Sequence, residues 1–112
     1  MHELSITRNI VAVVAERAAG RRVSAVTLVV GNLTGVDVAA VRYCFDLCTN
    51  GTSLAGATLQ VDEIEGRARC NLCGKEVTLT APMLRCECSE DATLAIIAGE
   101  ELRVRSMEVH DV

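Results

Sequence analysis

Aromatic side chains are nearly missing from this 112-residue chain: it has no tryptophan, and Tyr43 and Phe45 are its only aromatic residues. Half of the residues are hydrophobic all the same, so the core must be assembled from Val, Leu, Ile and Ala. Lysine is scarce too. Lys75 is the single one, the arginines are scattered, and the formal net charge is -4. No basic stripe can be traced for a phosphate backbone, which argues against nucleic acid as a partner. There is no run of 18 or more apolar residues to span a membrane, and the N-terminus lacks the basic segment and apolar stretch of a secretory signal. A soluble, cytoplasmic protein with no membrane partner is the expectation. The length suits one compact core and not two ordinary ones.

From Glu3 to about Ala19 there is no Gly or Pro, and Leu4, Val11, Val14 and Ala18 recur on one face of a helix with Ile10 beside them. Gly20 supplies a stop, and Arg17 sits in the last turn where a cation suits the helix dipole. RRVSAVTLVVG alternates Val26, Leu28 and Val30 with Ala25, Thr27 and Val29, which predicts a strand buried on both faces. NLTGVDVAAVRYCFDLC predicts a second helix with Val38, Val41, Phe45 and Cys48 along one side; Thr34, three residues ahead of Asp37, fits a capping signature at its start. ATLQVDEIE reads as a second strand. In ELRVRSMEVHDV, Leu102 and Val104 alternate before the apolar phase slips to Met107 and Val109, which predicts a bulge near Ser106 in a third strand.

These elements make an α+β fold: two helices packed on a small three-stranded sheet, with the last strand crossing back to join the first two. Residues 1–66 and 101–112 form the main domain. Residues 67–100 form an inserted, zinc-ribbon-like four-cysteine module.

The insert reads RARCNLCGKEVTLTAPMLRCECSEDATLAI, with Cys70 and Cys73 as CxxC and Cys86 and Cys88 as CxC. Two short pairs on two turns can bring four thiolates to the corners of a tetrahedron, which is what Zn²⁺ accepts at a closed structural site. Gly74 follows the first pair, where the backbone must turn tightly. A segment this short needs a crosslink to fold, and in a reducing compartment that crosslink is a metal before it is a disulfide. Iron could occupy the same thiolates, and two disulfides or unmetallated thiols are the alternatives. A redox CxxC would lie at a helix N-terminus after a strand, which this pair does not. Four thiolates around Zn²⁺ leave a net charge of about -2; Arg67, Arg69, Lys75 and Arg85 are close enough in sequence to offset it. With every ligand a cysteine, no coordination position is left for hydrolysis.

At the other extreme of the chain, MHE places an α-amine, an amide and an imidazole within two residues. Met1 and His2 can close a five- and a six-membered chelate ring on one ion, with the Glu3 amide as a further donor. Nitrogen-rich planar sets favour Ni(II) and Cu(II) over Zn(II). On these residues alone, a solvated histidine is the plainer reading. Cys44 and Cys48, spaced i, i+4 on the second helix, read as core thiols, and His110 as a solvated residue or an accessory base.

Taken together, these stretches resemble the HypA/HybF hydrogenase maturation factors. MHELSI is similar to that family's start, VGNLTGVDVAAVRYCFDL to its second-helix segment, and ELRVRSMEV to its closing strand; the paired cysteines fall where its zinc site falls. The resemblance implies a nickel-binding domain, an inserted zinc domain, and nickel ligands at the Met1 amine, His2 and the Glu3 backbone. Asp37 matches an acidic position that can assist nickel, although an acid at the start of a helix caps it in any case. The chain departs from the family's usual CPxC second pair: Cys86-Glu87-Cys88 is one residue shorter, and Ser89 stands where the fourth cysteine would fall without a gap.

The function implied is that of a nickel metallochaperone, not an enzyme, serving [NiFe]-hydrogenase maturation with urease as a second client. Its implied partners are a nickel-handling GTPase maturation factor and the hydrogenase large-subunit precursor, and a homodimer is left open. The alternative is a zinc-ribbon interaction module with no metal-transfer role.

Overall fold

The computed structural model describes residues 2–80 and 86–110. Helix α1 spans Glu3–Ala18, strand β1 Arg22–Gly31, helix α2 Val38–Cys48 and strand β2 Thr58–Ile64. Strands β3 (Gly66–Cys70), β4 (Glu76–Leu79) and β5 (Leu94–Ala98) follow, and β6 (Leu102–His110) closes the chain. The strands form two three-stranded sheets, ordered β2-β1-β6 and β4-β3-β5. The last strand therefore returns to flank the first, and the sequence expectation of two helices with a small sheet holds.

The chain divides into two compact units. The first comprises Met1–Val29, Val36–Asp62 and Arg103–Val112; the second comprises Val30–Gly35 and Glu63–Leu102.

In the first unit α1 and α2 pack together, and the core is the aliphatic one that composition demanded. Val11, Val14 and Ala18 from α1 are buried along with Val26, Leu28, Val41 and Phe45. Two buried threonines satisfy their hydroxyls on helix carbonyls: Thr7 Oγ1 donates to that of Glu3 at 2.7 Å, and Thr49 Oγ1, at the C-cap of α2, to that of Phe45 at 2.9 Å. Arg42 ties α2 to β2 by donating to the Leu59 carbonyl at 2.7 Å. Helix α1 ends one residue before the expected point. Ala19 itself takes the left-handed conformation, with φ at 53°, and its N–H closes on the Ala15 and Glu16 carbonyls.

Three local expectations need correction. Helix α2 starts later than the stretch from Asn32 suggested, because Asn32–Thr34 closes a separate 3-10 turn in which Thr34 Oγ1 donates to the Gly31 carbonyl at 2.8 Å. Thr34 is thus spent locally, and the N-cap of α2 is Asp37. Strand β1 is buried on both faces only towards its end: Ala25 and Thr27 remain half-buried, whereas residues 28–31 are all buried. The apolar slip in β6 is present, with Val104, Met107 and Val109 the more buried positions of residues 103–110.

The second unit holds more regular structure than the cysteine spacing suggested. In β3, Gly66, Ala68 and Cys70 are buried while Arg67 and Arg69 are exposed, the alternation of a one-sided strand. It pairs antiparallel with β4, Ala68 opposite Val77, and with β5, Cys70 opposite Leu94. Its small core is Ala68, Cys70, Leu79, Ala92 and Leu94, with Leu33 packed against it. Leu33 explains why residues 30–35 belong with this unit. Its N–H donates to the Gly99 carbonyl at 2.8 Å, and its side chain lies so close to Gly66 and Gly99 that a methyl on either would meet it at about 3 Å or less. Gly99 also has φ at 109°, a region closed to residues with a Cβ.

Phe45→Ala should remove about 3–5 kcal/mol of stability, since that side chain is only 1% exposed, whereas Tyr43→Ala at a 68% exposed position should stay within about 0.5 kcal/mol. Denaturant titration of the two variants beside the parent measures both.

Candidate metal centres

Two turns build the four-cysteine cluster. After β3 the chain folds back so that the Gly74 N–H donates to the Cys70 carbonyl at 3.1 Å and the Cys70 N–H to the Lys75 carbonyl at 2.9 Å. Gly74 has φ at 73°, which only a residue without Cβ adopts readily. This turn aims the N–H groups of Leu72 and Cys73 at Cys70 Sγ, each at 3.4 Å. The second turn closes through the Cys86 N–H to the Ala92 carbonyl at 3.4 Å and the Ala92 N–H to the Ser89 carbonyl at 3.2 Å. Asn71 links the two turns. Its N–H donates to the Thr93 carbonyl at 3.0 Å, and its Oδ1 accepts from the Thr93 N–H at 2.8 Å. Nothing in the sequence pointed to Asn71; its position inside CxxC between two ligands is the only available cue.

The Sγ atoms of Cys70, Cys73, Cys86 and Cys88 all lie within 4.8 Å of one another, and those of Cys70 and Cys88 are 3.5 Å apart. A tetrahedral zinc with bonds of about 2.3 Å sets its sulfurs about 3.8 Å apart. The donor set and spacing therefore fit such an ion. All six cysteines of the chain are free of disulfides. Cys88, not Ser89, completes the set. The Ser89 hydroxyl accepts the Asp91 N–H at 3.2 Å, so the shortened pair is accommodated by giving serine to the turn and cysteine to the cluster.

Proton sharing within the cluster is uneven. The N–H groups of Cys73 and Leu72, helped by the Cys73 and Cys88 thiols, lower the Cys70 thiol to about 6. Cys88, which hydrogen-bonds to Cys70 and then Cys86, is pushed up to about 12. A metal must displace the remaining thiol protons, so its retention weakens on acidification. Arg67 and Arg69, expected to offset the thiolate charge, both pair with Glu76, Arg69 at 2.9 Å. They alternate with buried Ala68 and Cys70 along β3, on the opposite face, so the charge nearest Cys70 is met by backbone N–H groups. Arg85 lies outside the described residues.

His2 and Glu3 are placed by a different contact. Met1 lies outside the described residues. His2 is the exposed N-cap of α1 and makes no side-chain capping bond; the first rung of the helix runs from the Ile6 N–H to the His2 carbonyl at 3.0 Å. The helical ladder therefore leaves the His2 amide nitrogen unused. Glu3 Oε2 accepts the Asp37 N–H at 3.0 Å, joining residues 34 positions apart. That bond, with the Glu3 backbone N–H second, holds the Glu3 carboxyl below the usual carboxylate range. The contact is present above the ordinary carboxylate pKa and is lost as acid protonates Glu3 below it. Asp37 Oδ1 accepts the Ala40 N–H at 3.2 Å. Asp37 is thus at once the cap of α2 and, through its N–H, the partner of the Glu3 carboxylate.

Among the described residues, the four cysteines are the one group of three or more His, Cys, Asp or Glu side chains whose ligand atoms converge. Cys44 and Cys48 stay half-buried on α2, and His110 is exposed at the end of β6.

Residues 1–109 match the family model described as hydrogenase/urease nickel incorporation, metallochaperone, hypA. The hydrogenase maturation factor HypA of Rippkaea orientalis is 46% identical over 112 residues, covering 100% of this chain and 98% of that protein. That of Geobacter metallireducens is 42% identical over 109 residues, covering 97% and 99%. The solution structure of the Ni metallochaperone HypA from Helicobacter pylori superposes with a TM-score of 0.67 at 20% identity, covering 97% of each chain. A second solution structure of a HypA protein reaches 0.71 at 21% identity, covering 98% of this chain and 97% of that one.

Cys88→Ser should cost the four-cysteine site its metal, by at least about tenfold in affinity, while Ser89→Ala keeps it. Elemental analysis after competition with a chelator separates the two outcomes.

Proposed function

Because the chain belongs to the HypA family of hydrogenase and urease nickel-incorporation metallochaperones, we propose that it captures Ni(II) at its N-terminus and hands it on during [NiFe]-hydrogenase maturation. Nickel is the cargo of this reaction. The Met1 amine, the His2 amide nitrogen and the His2 imidazole close adjacent five- and six-membered rings around it, and the Glu3 backbone supplies a further donor. The observation that carries the reading is the bond from the Asp37 N–H to the Glu3 carboxylate. It anchors Glu3 at the start of α2 while His2 remains exposed, so His2 is held near Asp37 and still open to a recipient. It also keeps the Asp37 carboxylate, half-used by Ala40, within the same neighbourhood, where it assists nickel.

Transfer is ligand exchange. Donors led by an exposed imidazole and a terminal amine release their ion when a partner offers better ligands or when acid protonates the imidazole. The partners are a nickel-handling GTPase and the hydrogenase large-subunit precursor, in the cytoplasm, with urease as a second client. No described helix is long and apolar enough to cross a membrane.

The four cysteines hold Zn²⁺, which supplies a closed crosslink with no open coordination position. Cys70, whose thiol is the more acidic, gives up its proton on binding more readily than Cys88.

Equilibrium dialysis of Ni(II) against untagged protein, His2→Ala and a form extended by one residue before Met1 tests the site. Both altered forms should bind at least about tenfold more weakly while keeping the four-cysteine metal. Equal affinities would leave the zinc-ribbon interaction module as the better reading. Asp37→Asn separates the two roles of that residue: asparagine caps a helix as well as aspartate does, so thermal stability should hold while nickel affinity falls.

A further inference from the structure

Neither metal centre uses the outer edge of β6. The order β2-β1-β6 gives this strand β1 as its one strand neighbour among the described residues, so along nine residues a row of backbone N–H and C=O groups turns away from the sheet. The sequence of β6 is symmetric about its middle. Outward from the Arg105–Ser106 step come Val104 and Met107, then Arg103 and Glu108, then Leu102 and Val109: apolar, charged and apolar on each side, with the charges opposite in sign. The apolar slip keeps the two halves in phase. Val104, Met107 and Val109 are the more buried positions of residues 103–110, which puts them on one face with Leu102 and leaves Arg103 and Glu108 on the other. An unbroken alternation would have separated Val104 from Met107. Arg103 and Glu108 are exposed, and neither side chain enters an ion pair or hydrogen bond among the described residues. Arg105, by contrast, pairs with Asp62 of β2, beyond β1 from the open edge, so the middle of the strand presents no unmatched cation. On the helix side Val104 and Met107 line a groove of about 460 Å³ with Ile10, Val13 and Val14 of α1, where Val13 is left 50% exposed.

We propose that the edge of β6 pairs with the β6 of a second copy of this chain, antiparallel, across a two-fold axis at the Arg105–Ser106 step. In that register Val104 stands opposite Met107 of the second copy, Arg103 opposite its Glu108, and Leu102 opposite its Val109, and the symmetry repeats each pair. Every apolar position thus meets an apolar one and every free charge meets its opposite, the combination that stabilises cross-strand neighbours. The pairing satisfies the open backbone row of both copies at once. Because the axis stands normal to the sheet, both α1 helices lie on one side of it, and the two aliphatic grooves come side by side so that Val13 of each copy is covered. Charges on an edge strand commonly guard it against further pairing. Here the guard is antisymmetric, and a second copy carries the matching pattern by construction, whereas any other strand would have to reproduce it. The inference does not rest on the nickel site, and either can fail without the other.

Sedimentation velocity of the zinc-loaded full chain over a concentration series tests it, with charge reversals at the two mirror positions. The parent should pass from monomer to dimer as concentration rises. Arg103→Glu alone and Glu108→Arg alone each set like charges opposite one another twice, and each should weaken dimerisation at least about tenfold. Mixing the two variants, or combining both changes in one chain, brings opposite charges together again and should restore association to within about threefold of the parent. Both positions are exposed, so the circular dichroism of each variant should match the parent's, and recovery in the mixture shows directly that each variant is folded. A parent that stays monomeric up to about 1 mM, single variants that dimerise as the parent does, or a double variant and a mixture that both stay monomeric would overturn the proposal.

Discussion

Everything in the second unit depends on four sulfur atoms being held within bonding reach of one centre. Its apolar core is made of two alanines, a cysteine and two leucines, with Leu33 added from a distant part of the chain. Burial of so little aliphatic surface offsets only part of the conformational entropy lost by the strands and turns around it. The sulfur cluster supplies what burial does not. Its donors are arranged by the backbone itself, through N–H groups aimed at Cys70 and the paired bonds of Asn71 with Thr93. The cluster is therefore prepared by hydrogen bonding before any ion crosslinks it.

The N-terminal donors proposed for nickel follow the opposite logic. A closed set of four thiolates suits retention, because every ligand must be protonated or displaced before the ion leaves. A set made of a terminal amine, an amide and an imidazole at an exposed helix start suits exchange. One carboxylate contact, Glu3 with Asp37, gives that exposed end a defined direction without closing it. Both helices meet at this contact: α1 begins with Glu3, and α2 is capped by Asp37.

Much of this was legible in the sequence, and the failures have physical causes. The helix periodicities, the strand at Val26–Val30 and the apolar slip between Val104 and Met107 each rest on side chains large enough to mark a face. The four cysteines were legible for their chemistry, including the choice of Cys88, although only the turn geometry shows what Ser89 does instead. Strands β3 to β5 were missed because the inward positions of β3 are Gly66, Ala68 and Cys70, which carry little hydrophobic signal. Thr34 looked like a cap because its spacing from Asp37 matched one, and the competing 3-10 turn uses the same hydroxyl. The Glu3–Asp37 bond and the seating of Leu33 both join residues far apart in the chain, where no local pattern reports them.

The seating of Leu33 has a topological consequence. Because residues 30–35 belong with the cysteine unit, the chain passes from one unit to the other four times. The units are interleaved, not strung in series. Cutting out the cysteine-bearing stretch as a separate piece would remove Leu33 from between Gly66 and Gly99 and leave a groove in the smaller core. The other unit would keep an apolar side chain with nowhere to go. Such an arrangement ties the folding of each unit to the other through chain connectivity alone, and it makes the protein divisible on paper but not by a single excision.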